Sequence, residues 1–271
     1  MTNTETYRKW MERAEVDWFA QFMKAWIPIN AWLTHSWGEL TDRELLEKLQ
    51  SENNSVKNKI LPMLRWQSAP SMGDARWIVD NVEATDFRSL ILNLSHLLEA
   101  NTIIGRRGRI SFSQIDWGAN MIPVSQLVLS GITYKVSRGV PASGQVTCEI
   151  FIRNGSCAYS CIQAHYDLEN LRNESSYQSL PPAKRGGLEA TYRQAHPRIY
   201  KQILLPSGST GAELGGLHFT TIEEDFYRGV IDVIYGLRNG LFHGSITPTS
   251  DLSRVYETAY HIVMHMVRCT F

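Results

Sequence analysis

The sequence predicts a mainly α protein: a helical bundle built from both ends of the chain, with a small antiparallel β-hairpin or sheet inserted in the middle. Three observations carry that prediction. Apolar residues recur at helical spacing near both termini. Within residues 121–170 the period changes to runs rich in Val, Ile, Tyr, Thr and Cys. Asn154-Gly155, flanked by such runs, is a strong short hairpin signal.

The first helix is read from about Thr4 to His35. Trp10, Ala14, Trp18, Phe22, Trp26, Ile29 and Leu33 form an aromatic stripe along it. Pro28 removes a backbone donor and predicts a kink or break near Ile27. Thr41-Asp-Arg-Glu44 has the form of a capping box and opens a short helix reaching Gln50. A further helix is read over Val56–Trp66, and the breakers in Ser68–Gly73 predict a loop. Phe87, Leu90, Ile91, Leu94 and Leu98 share one face of a helix from Asp86 to about Asn101. Gly105-Arg-Arg-Gly-Arg109 is a dense basic cluster whose glycines argue for a loop.

Strands are expected at Leu127–Ser137, Gln145–Arg153 and Ser156–His165. Helices then resume over about Pro181–Ala195, with a short one at Arg198–Leu205. Ser207–Gly216 has the composition of a flexible linker. Two helices close the chain, from about Thr221 to His243 and from near Ser250. The expected organisation is residues 1–120 as N-terminal bundle helices, 121–170 as the β-module and 171–271 as C-terminal bundle helices.

The totals limit the function classes. Lys and Arg number 27, as do Asp and Glu, so no bulk positive field recruits nucleic acid. Any RNA must be captured by a local cleft or through a partner. Cys148, Cys157, Cys161 and Cys269 lack zinc-finger spacing and read as small apolar fillers in a reducing compartment. The charged, aromatic opening peptide does not read as a signal sequence. No run approaches the roughly 18–20 apolar residues of a membrane span. These features predict a cytoplasmic protein with no membrane partner.

The informative peptide is Tyr235-Gly-Leu-Arg-Asn-Gly-Leu-Phe-His-Gly244. At about 100° per residue, Asn239 and His243 lie about 40° apart on one helix, and Arg238 lies about 140° from His243. The three polar groups share an arc. Such a set suits RNA phosphodiester cleavage, because the 2′-hydroxyl nucleophile is already in the substrate. An imidazole moves protons near neutral pH, and a guanidinium offers a bidentate positive fork to the phosphate. Asn239 would orient them. The structural alternative is that Arg238 and Asn239 tie a neighbouring helix while His243 ends its own.

Arg238-Asn-x-x-x-His243 resembles the R-x(4–6)-H signature of the HEPN superfamily, and the Phe242-His-Gly244 flank is similar to members that read RNxxFHG. Phe22–Trp32, with Trp26, Asn30 and Trp32, resembles the first-helix pattern of many bacterial HEPN proteins. The likeness covers about residues 5–105 and 180–268. It implies an all-α bundle that dimerises, so that two motifs face each other and form one composite ribonuclease site without metal or cofactor. It further implies a toxin or anti-phage defence effector that cuts RNA, with an antitoxin or defence-system protein as a controlling partner. The alternative within the family is a non-catalytic module that docks a partner protein or a nucleotide.

Other residues carry weaker expectations. Arg106, Arg107 and Arg109 are candidates for gripping phosphate, and Asn30 for reaching into the Arg238/His243 cleft. His261 and His265, four apart on the last helix, lack an evident third metal ligand and read as a polar stripe. Glu223, Glu224 and Asp225 open the helix that bears the trio, where the dipole favours acids.

Overall fold

In the computed structural model, residues 16–68, 75–77, 82–105, 108–139 and 144–271 are described. They form two compact units. One takes the described residues up to Ile115 together with Lys201–Phe271; the other is Asp116–Tyr200.

The first unit holds six described helices: α1 (Trp18–Trp37), α2 (Asp42–Ser51), α3 (Ser55–Met63), α4 (Val82–Ala100), α8 (Glu223–Phe242) and α9 (Ser250–Arg268). Of the kink or break expected near Ile27, the break is absent: α1 runs through Pro28 as one element. Phe22, Trp26, Ile29 and Leu33 are buried on either side of the proline, and burial at about 1.5–3 kcal/mol per large apolar side chain outweighs one lost hydrogen bond. The part of the expected first helix before Val16 lies outside the described residues. The predicted capping box is present in full: Thr41 Oγ1 accepts from the Glu44 amide at 3.3 Å, and the Glu44 carboxylate accepts from the Thr41 amide at 2.9 Å. α8 is the central helix, with Phe226, Tyr227, Val230, Ile234 and Leu237 all fully buried. α9 packs on α1 and α4. Its Tyr256 lies edge-on to Phe22 at 5.4 Å and donates its hydroxyl to the Leu237 carbonyl at 3.2 Å.

Short strands decorate this unit. β1 (Trp66–Ser68), β2 (Ala75–Trp77), β11 (Ala212–Leu214) and β12 (Leu217–Phe219) form a four-stranded sheet in that order. The segment read as a linker thus contains a hairpin, turned at Gly215-Gly216, both with positive φ. That backbone suits a type I′ turn. β3 (Ile104–Gly105) and β4 (Gly108–Arg109) form a two-stranded ribbon.

The second unit is a four-stranded antiparallel meander of β6 (Val124–Leu129), β7 (Ile132–Arg138), β8 (Val146–Phe151) and β9 (Cys157–Gln163), in chain order. The hairpin expected at Asn154-Gly155 joins β8 to β9. The segment read as one strand over Leu127–Ser137 is two, turned at Ser130-Gly131 with φ of 51° and 77°. Burial alternates along β7 and β8, so Tyr134, Val136, Cys148 and Ile150 face one core. Two short helices, α5 (Leu168–Asn173) and α6 (Ser175–Gln178), lead into α7 (Pro182–Gln194). Leu171, Tyr177, Leu188 and Tyr192 from these helices complete that core. The chain enters and leaves this unit through β5 (Ile115–Ala119) and β10 (Arg198–Lys201), which pair with each other. The short helix expected from Arg198 is therefore a strand.

Among the described residues the fold is mixed α/β, with 51% helix and 20% strand, and not the mainly helical bundle with a small insertion that the sequence predicted. The central module reaches from Asp116 to Tyr200 and has a core of its own. It claims α7, which had been given to the bundle, because the helix lies on β6–β8. No described helix is long and apolar enough to cross a membrane.

Two half-buried imidazoles make stability depend on pH. His265 in α9 sits edge-on to Phe87 at 5.4 Å. Burial first, then Arg268, pulls its pKa below the ordinary value, while Glu83 and Asp86 oppose this. His196 is lowered in the same direction, again mainly by burial. Unfolded imidazoles protonate near pH 6.5, and these folded ones resist protonation to lower pH. Their contribution is therefore full above about pH 6.5 and falls as the pH drops towards the folded-state values. Urea unfolding between about pH 7.5 and 5.5 should show stability declining with acidification, and His265→Leu should flatten that slope. An unchanged slope in the variant would refute the assignment to His265.

Candidate active site at the end of helix α8

The polar trio lies at the C-terminal end of α8, and local sequence chemistry fixes how that end is made. His243 is the C-cap residue, and Gly244 follows in the left-handed region at φ +64°. The Ser245 amide donates to the Gly240 carbonyl at 2.9 Å, and the Gly244 amide donates to Leu241 at 3.1 Å. This is the double bond pattern of a Schellman motif, for which glycine is favoured after the cap. Gly240 also has a packing reason. A Cβ there would stand 2.1 Å from Ile246 Cδ1, because the chain folds Ile246 back onto the helix. Both glycines of the motif are thus accounted for by the helix ending.

Arg238 is 8% exposed, and its Nη1 donates to Asp42 Oδ2 and to Asn239 Oδ1, each at 2.8 Å. Its guanidinium carbon lies 4.4 Å from the centre of the Phe242 ring and 6.0 Å from that of Tyr235. Its Nε is buried without a hydrogen-bond partner among the described residues. The fork is therefore preorganised from three directions: a carboxylate at the start of α2, the neighbouring amide, and an aromatic face. Asp42 is 47% exposed at its side chain, so it can exchange its arginine partner for solvent. Asn239 is half-buried, and His243 and Phe242 are exposed. The His243 amide donates to the Asn239 carbonyl at 3.0 Å, which sets the two residues one turn apart.

The remaining candidates are distributed unevenly. Trp26 of α1 packs 6.3 Å from Tyr235 of α8. One turn further along α1, Asn30 is half-buried and makes no hydrogen bond to the trio among the described residues. Arg109 is engaged elsewhere: its Nη2 reaches Glu99 at 3.0 Å. Its neighbour Ile110 does touch α8, where a Cβ on Gly236 would meet Ile110 carbons at 3.4–3.5 Å. The basic ribbon is thereby anchored beside the helix, about half a turn before Arg238. Arg106 and Arg107 lie outside the described residues. His261 and His265 line a groove of about 480 Å³ with Asp86, Asn93 and Arg268. Among the described residues no three or more His, Cys, Asp or Glu side chains are grouped as metal ligands.

Asp42 is the site residue that sequence reasoning missed, and Phe242, read only as part of the motif's flank, stacks on Arg238. The capping box marks where α2 begins, but nothing local says that its first acid reaches a residue 196 positions away. Comparison with protein families, characterised proteins and solved structures finds no match to this chain.

Proposed function

We propose that the chain is a metal-independent endoribonuclease of HEPN type, acting on RNA as a homodimer, with Arg238, Asn239 and His243 as its working groups. The observation that carries this reading is the joint placement of an exposed imidazole, an amide one turn below it and a stacked guanidinium at one helix end. Arg238 would neutralise the phosphate, whose charge grows as the 2′-oxygen attacks. His243 would move the proton, and Asn239 would orient the fork through the bond it already accepts. One chain supplies a single imidazole, whereas cleavage needs a proton removed from the 2′-hydroxyl and another delivered to the leaving 5′-oxygen. A second copy across a two-fold axis supplies the other. A role as a toxin or defence effector under the control of an antitoxin or similar partner belongs to the same proposal.

Incubation of labelled RNA pools with excess EDTA tests the reading directly. Wild type is expected to cut, leaving 2′,3′-cyclic phosphate ends, and His243→Ala is expected not to. Equal cleavage by both, or activity that returns only with added metal, would reject it.

The Arg238–Asp42 ion pair favours a second reading, in which the trio ties α8 to α2 and the protein docks a partner or nucleotide without catalysis. Under that reading no RNA pool is cut, and His243→Ala behaves as wild type.

A further inference from the structure

Strands β8 and β9 set Cys148 and Cys161 directly opposite each other. Directly opposed residues of an antiparallel pair point to the same face, with Cα atoms about 4.5–5.5 Å apart. That separation lies inside the range of about 4.4–6.8 Å that a disulfide spans. The closer pair in sequence, Cys157 and Cys161, is excluded by the same strand. Four residues at about 3.3 Å each place them some 13 Å apart, and Cys157 is paired with Phe151 in the ladder. All four cysteines are free thiols.

The two opposed thiols have different surroundings. Cys148 is fully buried in the core of the second unit, whereas Cys161 is half-buried on an edge strand. Hydrogen bonding from the Cys148 thiol, and then from the Tyr159 hydroxyl, brings the Cys161 pKa down to about 7 against the opposing effect of burial. Hydrogen bonding to Cys161 and burial push Cys148 the other way. One sulfur is thus an accessible nucleophile and the other a protonated neighbour within reach of it.

We propose that Cys161 and Cys148 form a hydroperoxide-responsive dithiol site that closes to a cross-strand disulfide. The Cys161 thiolate attacks the peroxide, breaking its O–O bond. The sulfur becomes a sulfenic acid, and the departing hydroxide or alkoxide takes a proton to leave as water or alcohol. The Cys148 sulfur then attacks the sulfenic sulfur. The S–O bond breaks, and the hydroxide leaves as water with the Cys148 proton. Two thiols are oxidised by one peroxide; for hydrogen peroxide the products are one disulfide and two waters.

The test treats the full-length Cys157→Ser protein with hydrogen peroxide, which removes the exposed competing thiol. Two of the three remaining thiols are expected to disappear, the mass to fall by two hydrogens, and a tryptic peptide to join Cys148 to Cys161. Dithiothreitol should restore all three. Adding Cys161→Ser should abolish the bridge, and Cys148→Ala should leave a Cys161 sulfenic acid that dimedone traps. A bridge involving Cys269, Cys161 advancing to sulfinic acid without a bridge, or no thiol loss from the folded Cys157→Ser protein would each overturn the proposal.

Discussion

Arg238→Ala is expected to lower RNA cleavage by about 10²- to 10³-fold, the usual effect of removing one preorganised donor from a developing oxyanion. Asp42→Asn should leave cleavage intact or raise it. In the structure the same Nη1 that would meet a phosphate is held by Asp42 at 2.8 Å, so substrate has to displace the carboxylate. Removing its charge weakens that competitor. Stability should respond in the opposite sense. With its side chain 10% exposed, Arg238 depends on Asp42 for charge compensation, and loss of the carboxylate should cost about 1–3 kcal/mol. Cleavage per folded molecule and the urea midpoint therefore separate a catalytic guanidinium from a helix tie. If both variants lose stability alike and neither changes cleavage, Arg238 serves structure alone.

Gly187→Ala should unfold the second unit or bring it near unfolding. The new Cβ would lie 2.4, 2.6 and 2.7 Å from three ring carbons of Tyr134, where carbon contacts normally stand about 3.5–4.0 Å apart. Tyr134 is 2% exposed and has the core of the meander around it, so the ring has little room to retreat. A loss of about 3 kcal/mol is expected, at the upper end for overpacking. Hydrogen exchange should accelerate in β7 and β8 while α8 and α9 keep their protection. Adding Tyr134→Leu removes the ring and should recover much of the loss, since neighbouring substitutions couple strongly. Unchanged exchange in β7 would refute the close approach.

The elements legible in the sequence are those whose cause is local. Thr41 and Glu44 are three residues apart and bond each other. Asn154-Gly155 makes its own turn, and the 3.6-residue stripe of α9 marks its buried face. The misread elements depend on distant partners. Arg198–Lys201 is a strand because β5 is available to pair with it. Ser130-Gly131 was hidden by the strand-forming residues on both sides, although Ser-Gly is itself a turn signal. Gly215-Gly216 reads as linker until Ala212–Leu214 finds β12. The site divides in the same way. Arg238, Asn239 and His243 share one helix, so spacing alone places them; Asp42 arrives through tertiary packing, which no local pattern announces.

Pairing of β5 with β10 brings the two ends of residues 116–200 to one ladder. The helices before and after that stretch would otherwise have to meet across a long flexible loop, whose closure entropy rises as about (3/2)RT ln n. Once the β5–β10 ladder forms, the two ends of that stretch are held side by side, and the loop left to close is far shorter. The middle of the chain is in this sense a splint for its two ends. Changes that loosen the β5–β10 join would then slow assembly of the helical unit without removing any contact inside it.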